Sequence, residues 1–473
     1  MRVNKLFNYK FKNNHIVTKI TDNSIDCIFN SVFIVNGKNI EFLNDAITRG
    51  AKTIVSEFSL NLDFGLNNYI VDDVKIYQAK LLCKFYKKVI DQYTIIGITG
   101  TNGKTSTCNY VYNYLRLLQE DVLLISSNGI FLDGLKFETL NTTPSIYKIY
   151  EFMNKNLNKN MFTKKKHKKH YLILECSSQG IRNLRIKHIP LDIVLFTNIT
   201  SDHLDYHLNI SDYLFSKCLI LNNLKPNGVV ILNNNNEHSQ LIKEISNNNY
   251  YIIGTGEKIS YKIISSGLTN TIFELQDCSN FKLIETKLVG KFQIDNLLSA
   301  YAILKTLKLN LNGFREFCYD IEPVAGRFNY YQINKKHIVI DYAHTFSATS
   351  TIIDFVKEHF KNKLWIVVGC GGCRDRTKRS LIGEYTSMSS NYTIFTEDNN
   401  RSESFESIIN DITSNISSEN YIIIKNRYDA IKYALECSEE DDLILILGKG
   451  TEKTKIDNKY LTDYEMVCEI LND

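Results

Sequence analysis

From residue 94 onward the chain repeats one pattern: a short apolar run, a polar turn, then a stretch with helical spacing. "TIIGIT" (94–99) reads as a buried strand and "KTSTCNYVYNYLRLLQE" (104–120) as an amphipathic helix. "DVLLISS" (121–127), "HYLILECSS" (170–178), "DIVLFTNIT" (192–200), "NGVVILN" (227–233) and "YYIIGT" (250–255) extend the series of strands. Strands alternating with helices predict a mostly parallel, doubly wound sheet. Ligands in such sheets bind beyond the carboxyl ends of the strands. The polar residues that follow each apolar run are therefore the candidates for chemistry.

Two further segments flank this one. Before it, "SVFIV" (31–35) and "AKTIVSE" (51–57) read as strands. Between them "IEFLNDAITRG" has helical spacing and stops at Gly50, a suitable helix C-terminal cap. After it, a new series begins near "VAGRFNYY" (324–331). It holds "KHIVIDYAH" (336–344), "LWIVVGCGG" (364–372), "NYTIFTED" (391–398), "NYIIIKN" (420–426) and "DDLILILGKG" (441–450), separated by helical stretches. The predicted class is α/β with three domains: a small N-terminal α/β domain (1–93), a central doubly wound sheet with a phosphate loop (94–325) and a C-terminal Rossmann-like domain (326–473).

Composition narrows the partners. Apolar residues make up 44% and the net charge is +4 over 473 residues, which favours neither a nucleic-acid nor a membrane-surface partner. No apolar run approaches the roughly 18 residues of a membrane span. "MRVNKLFNYKFKNN" lacks the apolar centre of a signal peptide, so a cytoplasmic location is expected. Eleven scattered cysteines, an odd number, fit reduced thiols. The C-x-x-C of Cys370 and Cys373 has no second pair or nearby histidine to complete a zinc site, and reads as a glycine-rich turn. The lysine run "KKKHKKH" (164–170) has no interleaved aromatics and reads as a solvated loop.

"GITGTNGKTST" (97–107) lies between a strand and a helix. The usual phosphate loop, G-x-x-x-x-G-K-[ST], needs a glycine where this chain has Ile98; Gly97 comes one position early. The setting is nonetheless that of a phosphate site. Gly100 and Gly103 let backbone N–H groups approach an anion at the helix start, Lys104 supplies charge and the Thr105 hydroxyl can ligate Mg²⁺. A plain glycine turn with a helix cap is the bland alternative. In "ECSSQG" (175–180), Glu175 ends a strand and suits a second Mg²⁺ ligand, while Ser177 and Ser178 would also serve as helix caps. "FTNITSDHLDYH" (196–207) crowds Asp202, His203, Asp205 and His207 after another strand, a density of ionisable groups typical of a site.

With "NTTPS" (141–145), Lys217, "GKFQIDNLLSA" (290–300), "VAGRF" (324–328), "IDYAHT" (340–345), "GCGGCRDRTKR" (369–379), "EDNNRSE" (397–403) and "GKGTE" (448–452), these motifs run in order along nearly the whole chain. In this the sequence resembles the Mur ligase family, ATP-dependent amide-forming enzymes of peptidoglycan precursor synthesis. That family's phosphate loop reads G-T-x-G-K-[TS], which accounts for the offset. Folylpolyglutamate synthetases share the loop but not the C-terminal motifs. "DYAHT", "GCGG-x-RD-x-x-KR" and "DN-x-R" are similar to the branch that adds the third residue to UDP-N-acetylmuramoyl-L-Ala-D-Glu.

The resemblance implies roles, residue by residue. Gly100, Thr101, Asn102, Gly103, Lys104, Thr105 and Ser106 would hold the ATP phosphates. Asn198 and Asn296 would contact the adenine side, with Arg327 and Asp341 clamping the nucleotide. Mg²⁺ would rest on Thr105, Glu175, His203 and a carbamylated Lys217, whose bland alternative is an exposed helix lysine. Lys104, Lys217 and His203 are the implied catalytic residues. Ser24, Thr142, Thr143, Ser177, Asn183 and Arg185 would face the UDP-muramoyl dipeptide. Arg379, Asp398, Asn399, Arg401, Gly448 and Glu452 would face the amino acid, with meso-diaminopimelate favoured over L-lysine because an arginine can grip its second carboxylate. Cofactors would be ATP and Mg²⁺, and the enzyme a monomer. The chain departs from the family pattern at Gln179, Gln293, Asn329, Cys373, Asn400 and Thr451. These departures motivate an alternative, a Mur-type ligase for another carboxylate. A non-catalytic nucleotide-binding protein is the alternative of a different class.

Overall fold

A computed structural model describes residues 1–160, 169–234, 236–246, 250–254, 257–457 and 459–472. Most of the lysine run at 164–170 lies outside the described residues. The chain forms two compact units. The first comprises residues 1–99, 115–195 and 216–230, the second residues 100–114, 196–215 and 231–473.

The first unit opens with a four-stranded parallel sheet in the order Ile20–Thr21, Ser31–Ile34, Ala51–Ser56, Asn67–Ile70. Phe33, Ala46, Ala51 and Ile54 form its core. Gly50 has φ +111°, and a Cβ there would come within 2.7 Å of the Phe29 backbone, so the predicted glycine stop is also a packing requirement. The unit also carries strands in the order Leu224–Asn233, Leu191–Phe196, Tyr93–Thr99, His170–Glu175, Asp121–Ser126, followed by the antiparallel Gly129–Leu132 and Leu135–Phe137. Tyr93–Thr99 pairs in parallel with His170–Glu175, and that strand with Asp121–Ser126. These strands are almost continuously buried, as expected where both faces of a parallel sheet are covered.

The second unit holds an antiparallel ribbon, Ile259–Ser266, Thr271–Asp277 and Asn280–Thr286. It also holds a six-stranded sheet in the order Asn329–Ile333, Lys336–Asp341, Leu443–Leu447, Leu364–Val368, Tyr392–Phe395, Tyr421–Ile423. Only the first pair is antiparallel. Period-two alternation sorts its side chains onto two faces. Val339, Ile366, Val368, Leu445 and Leu447 pack with residues of helices Phe346–His359, Thr377–Ser389 and Phe405–Thr413. Ile338, Ile340, Val367, Ile444 and Ile446 pack with helices Arg427–Cys437 and Asp463–Asn472. A sheet with helices on both faces is a doubly wound, Rossmann-like arrangement.

Candidate functional site

In the second unit the phosphate loop is built by sterics. Gly100 and Gly103 take φ +144° and +81°. A Cβ on Gly100 would meet Thr197 Oγ1 at 1.9 Å, and one on Gly103 would meet Asn296 Oδ1 at 2.0 Å. Asn198 and Thr197 brace the loop from behind. The Asn198 amide accepts from Asn102 N (2.9 Å) and donates to Asn102 O (3.2 Å), while Thr197 Oγ1 donates to the same carbonyl at 2.7 Å. The loop then opens helix Lys104–Leu117, whose N-terminal end carries the positive pole of the helix dipole. Lys104 Nζ donates to Gly100 O (3.0 Å) and Thr101 O (2.7 Å), which keeps its charge over the loop. Glycines packed against Thr197 and Asn296, a helix start and the Lys104 charge together suit a polyphosphate.

Arg327 reaches the loop, donating from Nη2 to Thr105 Oγ1 at 3.3 Å. Its backbone carbonyl accepts from Gln293 Nε2 (3.0 Å), and Gln293 in turn accepts from Tyr110 OH (2.7 Å). Asp341 accepts from Phe328 N (2.7 Å) and Ala343 N (2.6 Å). Burial pushes its pKa up to about 6, against the opposing attraction of Arg327 and those two N–H groups. Asp202 is buried beside His203 (3.4 Å) and Lys378 (3.4 Å). Burial alone would raise its pKa, but His203, Lys378 and His344 outweigh that and hold it below the carboxylate range. His344 is pushed the other way, down to about 4, chiefly by burial.

The amino-acid candidates lie in the same unit. Glu452 accepts from Asn399 Nδ2 (2.6 Å) and Tyr342 OH (2.7 Å), and Lys449 Nζ donates to Asn399 Oδ1 (3.1 Å). A Cβ on Gly448 would meet Asp398 Oδ2 at 2.9 Å, so Asp398 and Gly448 are neighbours too. Burial raises the Asp398 pKa. The two arginines differ sharply. Arg379 has no exposed side-chain surface; it grips Glu403 with two bonds (2.8 and 2.7 Å), Asp411 with one (2.8 Å) and Gly371 O with another (3.0 Å). Arg401 is exposed, and its Nη1 donates to Gly372 O (2.8 Å) and Asn399 O (3.1 Å). Among the described residues the Arg401 guanidinium meets carbonyl oxygens and no carboxylate. Glu403, two residues along the chain, is taken by Arg379.

The first unit gathers the UDP-side candidates. Thr143 Oγ1 donates to Glu175 O (2.8 Å), accepts from Ser177 N (3.0 Å) and lies 3.2 Å from Ser177 Oγ. Arg185 Nη1 donates to Thr143 O (2.8 Å). Ser127 Oγ donates to Glu175 Oε1 (3.0 Å) and lies 3.0 Å from Thr142 Oγ1. Ser177 caps helix Ser178–Arg182 and Asn183 ends it, so the capping and clustering roles of Ser177 coexist. Ser24 is buried, its hydroxyl against the Asp45 carboxylate. Lys217 is 1% exposed, which overturns the exposed-lysine alternative. Its charge acts on Cys176, the neighbour of Glu175.

Residues 98–304 match the family model described as the Mur ligase middle domain, and residues 326–450 that of the Mur ligase glutamate ligase domain. The chain belongs to the Mur ligase family. It is 32% identical to the UDP-N-acetylmuramoyl-L-alanyl-D-glutamate–2,6-diaminopimelate ligase of Buchnera aphidicola subsp. Baizongia pistaciae, over 93% of this chain and 90% of that one. It is 30% identical to the ligase of the same name from Geobacillus thermodenitrificans, over 92% and 88%. Among solved structures, a UDP-N-acetylmuramoyl-L-alanyl-D-glutamate–2,6-diaminopimelate ligase superposes with a TM-score of 0.69 at 23% identity, covering 100% of this chain and 99% of that one. MurF from Acinetobacter baumannii superposes with 0.68 at 13% identity, covering 96% and 93%. These last two establish the fold of a Mur ligase.

Within this Mur ligase, several contributors escaped sequence reading. Gln293 and Asn329, noted only as departures, have structural partners: Gln293 spans Tyr110 and Arg327, and Asn329 accepts from Gly326 N. Tyr342, Lys449 and Glu403 tie the candidate residues together, yet each belongs to a motif that drew attention to its neighbours. Arg427 and Asp463 form an ion pair with no exposed surface (2.7 and 2.8 Å); 36 residues apart, they gave no local signal. All eleven cysteines are free, Cys370 buried and Cys373 exposed. Among the described residues no helix is long and apolar enough to cross a membrane.

Proposed function

We propose that this Mur ligase is an ATP-dependent ligase that adds meso-diaminopimelate to UDP-N-acetylmuramoyl-L-alanyl-D-glutamate. The relatives named for that reaction align over more than nine-tenths of the chain. The observation that favours diaminopimelate is Arg401, an exposed guanidinium with donors left over beside Asn399, which is itself bonded to Glu452. Arginine binds a carboxylate through two parallel bonds, whereas the ammonium of lysine would meet like charge there. Arg379, whose Nη1 and Nη2 are taken by Glu403, Asp411 and Gly371 O, ties down the loop that carries Arg401.

The reaction has two steps. A carboxylate is a poor electrophile, so one oxygen of the acceptor carboxylate attacks the γ-phosphorus of ATP, and ADP departs. Lys104, Arg327 and the loop N–H groups offset the charge that builds on the phosphoryl oxygens. The amine of the amino acid then attacks the acyl phosphate, phosphate leaves with one carboxylate oxygen, and the amine loses a proton. Residues 1–93 would take the uridine end, 94–325 the ATP and 326–473 the amino acid.

Magnesium is assigned to Thr105, Glu175, His203 and Lys217 and, when bound, supplies positive charge to the phosphates. The resemblance supports this set, whose hydroxyl, carboxylate and, on a carbamylated Lys217, anionic oxygen are the hard oxygen donors magnesium prefers, with His203 adding a ring nitrogen. Among the described residues no cluster of three or more His, Cys, Asp or Glu side chains forms a ready cage. Magnesium would draw its remaining ligands from water and phosphate and would need no such cage.

The test is amino-acid choice. The wild type is expected to use meso-diaminopimelate far better than L-lysine, and Arg401→Ala to lower its kcat/KM for diaminopimelate about tenfold to hundredfold. Efficient L-lysine addition, unchanged by the substitution, would refute the assignment.

A further inference from the structure

Tyr342 touches both sides of the reaction, and the mechanism above gives it no part. Its hydroxyl donates to Glu452 Oε1 at 2.7 Å, and Glu452 holds Asn399 through its other oxygen at 2.6 Å. The Arg327 guanidinium lies over its ring, 4.3 Å from the centroid, and reaches on to Thr105 of the phosphate loop. One side chain thus holds the carboxylate on the amino-acid side with its polar tip and the cation on the nucleotide side with its π-face.

The backbone leaves Tyr342 little freedom. Its N–H donates to Gly326 O at 2.9 Å, next to Arg327. A Cβ on Gly326 would meet Thr451 N at 2.7 Å, and one on Gly450 would meet Gly326 O at 2.8 Å and Tyr342 Cβ at 3.1 Å. The Gly326 turn, Tyr342 and the 448–452 turn therefore pack in direct contact, with no room for a side chain at either glycine. Gly448 N bonds Asp341 O at 3.1 Å, closing the same junction. Glu452 and Arg327 are thus linked by this backbone junction and, at their side chains, by the tyrosine.

We infer that Tyr342 is a positioning residue that sets Glu452 for the incoming amino acid through its hydroxyl and Arg327 for ATP through its ring. This rests on the functional reading above. The two contacts are chemically separable, so substitution can remove one at a time. Tyr342→Phe keeps the ring and loses the bond to Glu452. Tyr342→Leu loses both.

Steady-state ligation by the full-length enzyme, with ATP, UDP-N-acetylmuramoyl-L-alanyl-D-glutamate and meso-diaminopimelate, reads the split. Tyr342→Phe is expected to raise KM for diaminopimelate about tenfold, as for a lost hydrogen bond to a charged group, with KM for ATP within twofold of wild type. Tyr342→Leu is expected to raise both. In a Glu452→Ala background, Tyr342→Phe should have no further effect on the diaminopimelate KM, since its partner is gone. Should the leucine variant fail to fold, the phenylalanine split and the Glu452 cycle decide the matter alone. A Tyr342→Phe enzyme whose diaminopimelate KM stays within twofold of wild type, or whose two KM values rise together, would overturn the inference while leaving the ligase reading intact. A wild type that forms no amide with these substrates would overturn the reading and the inference with it.

Discussion

Asp341 holds its carboxyl where burial favours the protonated form. Its pKa stands at about 6 in the fold, against about 4 in an unfolded chain. Between those values the folded protein retains a proton the unfolded chain has released, so this group's contribution to stability falls as pH rises through the window. Two units correspond to at most about 3 kcal/mol. The unfolding free energy of wild type minus that of Asp341→Asn is therefore expected to drop by up to about 3 kcal/mol from pH 4 to pH 7; a pH-independent difference would contradict the assignment. Lys217 gives a second prediction at this scale. A buried ammonium is expensive unless matched by charge, and a carbamate would convert it to an anion. Lys217→Ala is expected to be inactive and partly rescued by a short-chain carboxylate, and ¹³C-bicarbonate to give a carbamate NMR signal in the wild type. Full activity of the variant would refute this. Residue chemistry was legible in the sequence wherever a motif named the residue. It was not legible which of two arginines in neighbouring motifs is exposed, because burial separates Arg379 from Arg401 and only packing determines burial.

The parallel strands were legible because both faces are covered, so each strand is a short apolar run. Their predicted ends ran long. Leu364–Val368 stops before Gly369, and Tyr392–Phe395 before Thr396, since the polar and glycine residues that follow leave the sheet to form the site. The ribbon from Ile259 to Thr286 was not recognised, because strands exposed on one side alternate apolar with polar residues and form no apolar run. The phosphate loop was read correctly as strand, glycine turn and helix, but the reason for its second glycine is tertiary. Gly103→Ala would place a methyl 2.0 Å from Asn296 Oδ1 at φ +81°. Displacing that side chain and straining the backbone should cost about 1–3 kcal/mol and distort the loop. A thermal shift several degrees downward, with ATP affinity reduced at least tenfold, is expected. Unchanged affinity for ATP would show that the loop does not hold the phosphates.

At the scale of the molecule, the motifs run in chain order, several on strand ends and others, such as Lys217 and residues 290–300, on helices. The sheet topology collects them into a phosphate loop, a hydroxyl cluster and an arginine-bearing loop. The account makes these serve one reaction in which a carboxylate is activated by phosphoryl transfer before the amine attacks. That claim has a direct isotopic signature. The acceptor is prepared with ¹⁸O in the γ-carboxylate of its D-glutamate, and ligation is run with unlabelled ATP and meso-diaminopimelate. The account predicts one ¹⁸O in each phosphate released, in step with amide formation and absent when the acceptor is omitted. Phosphate without label, released alongside amide, would contradict it.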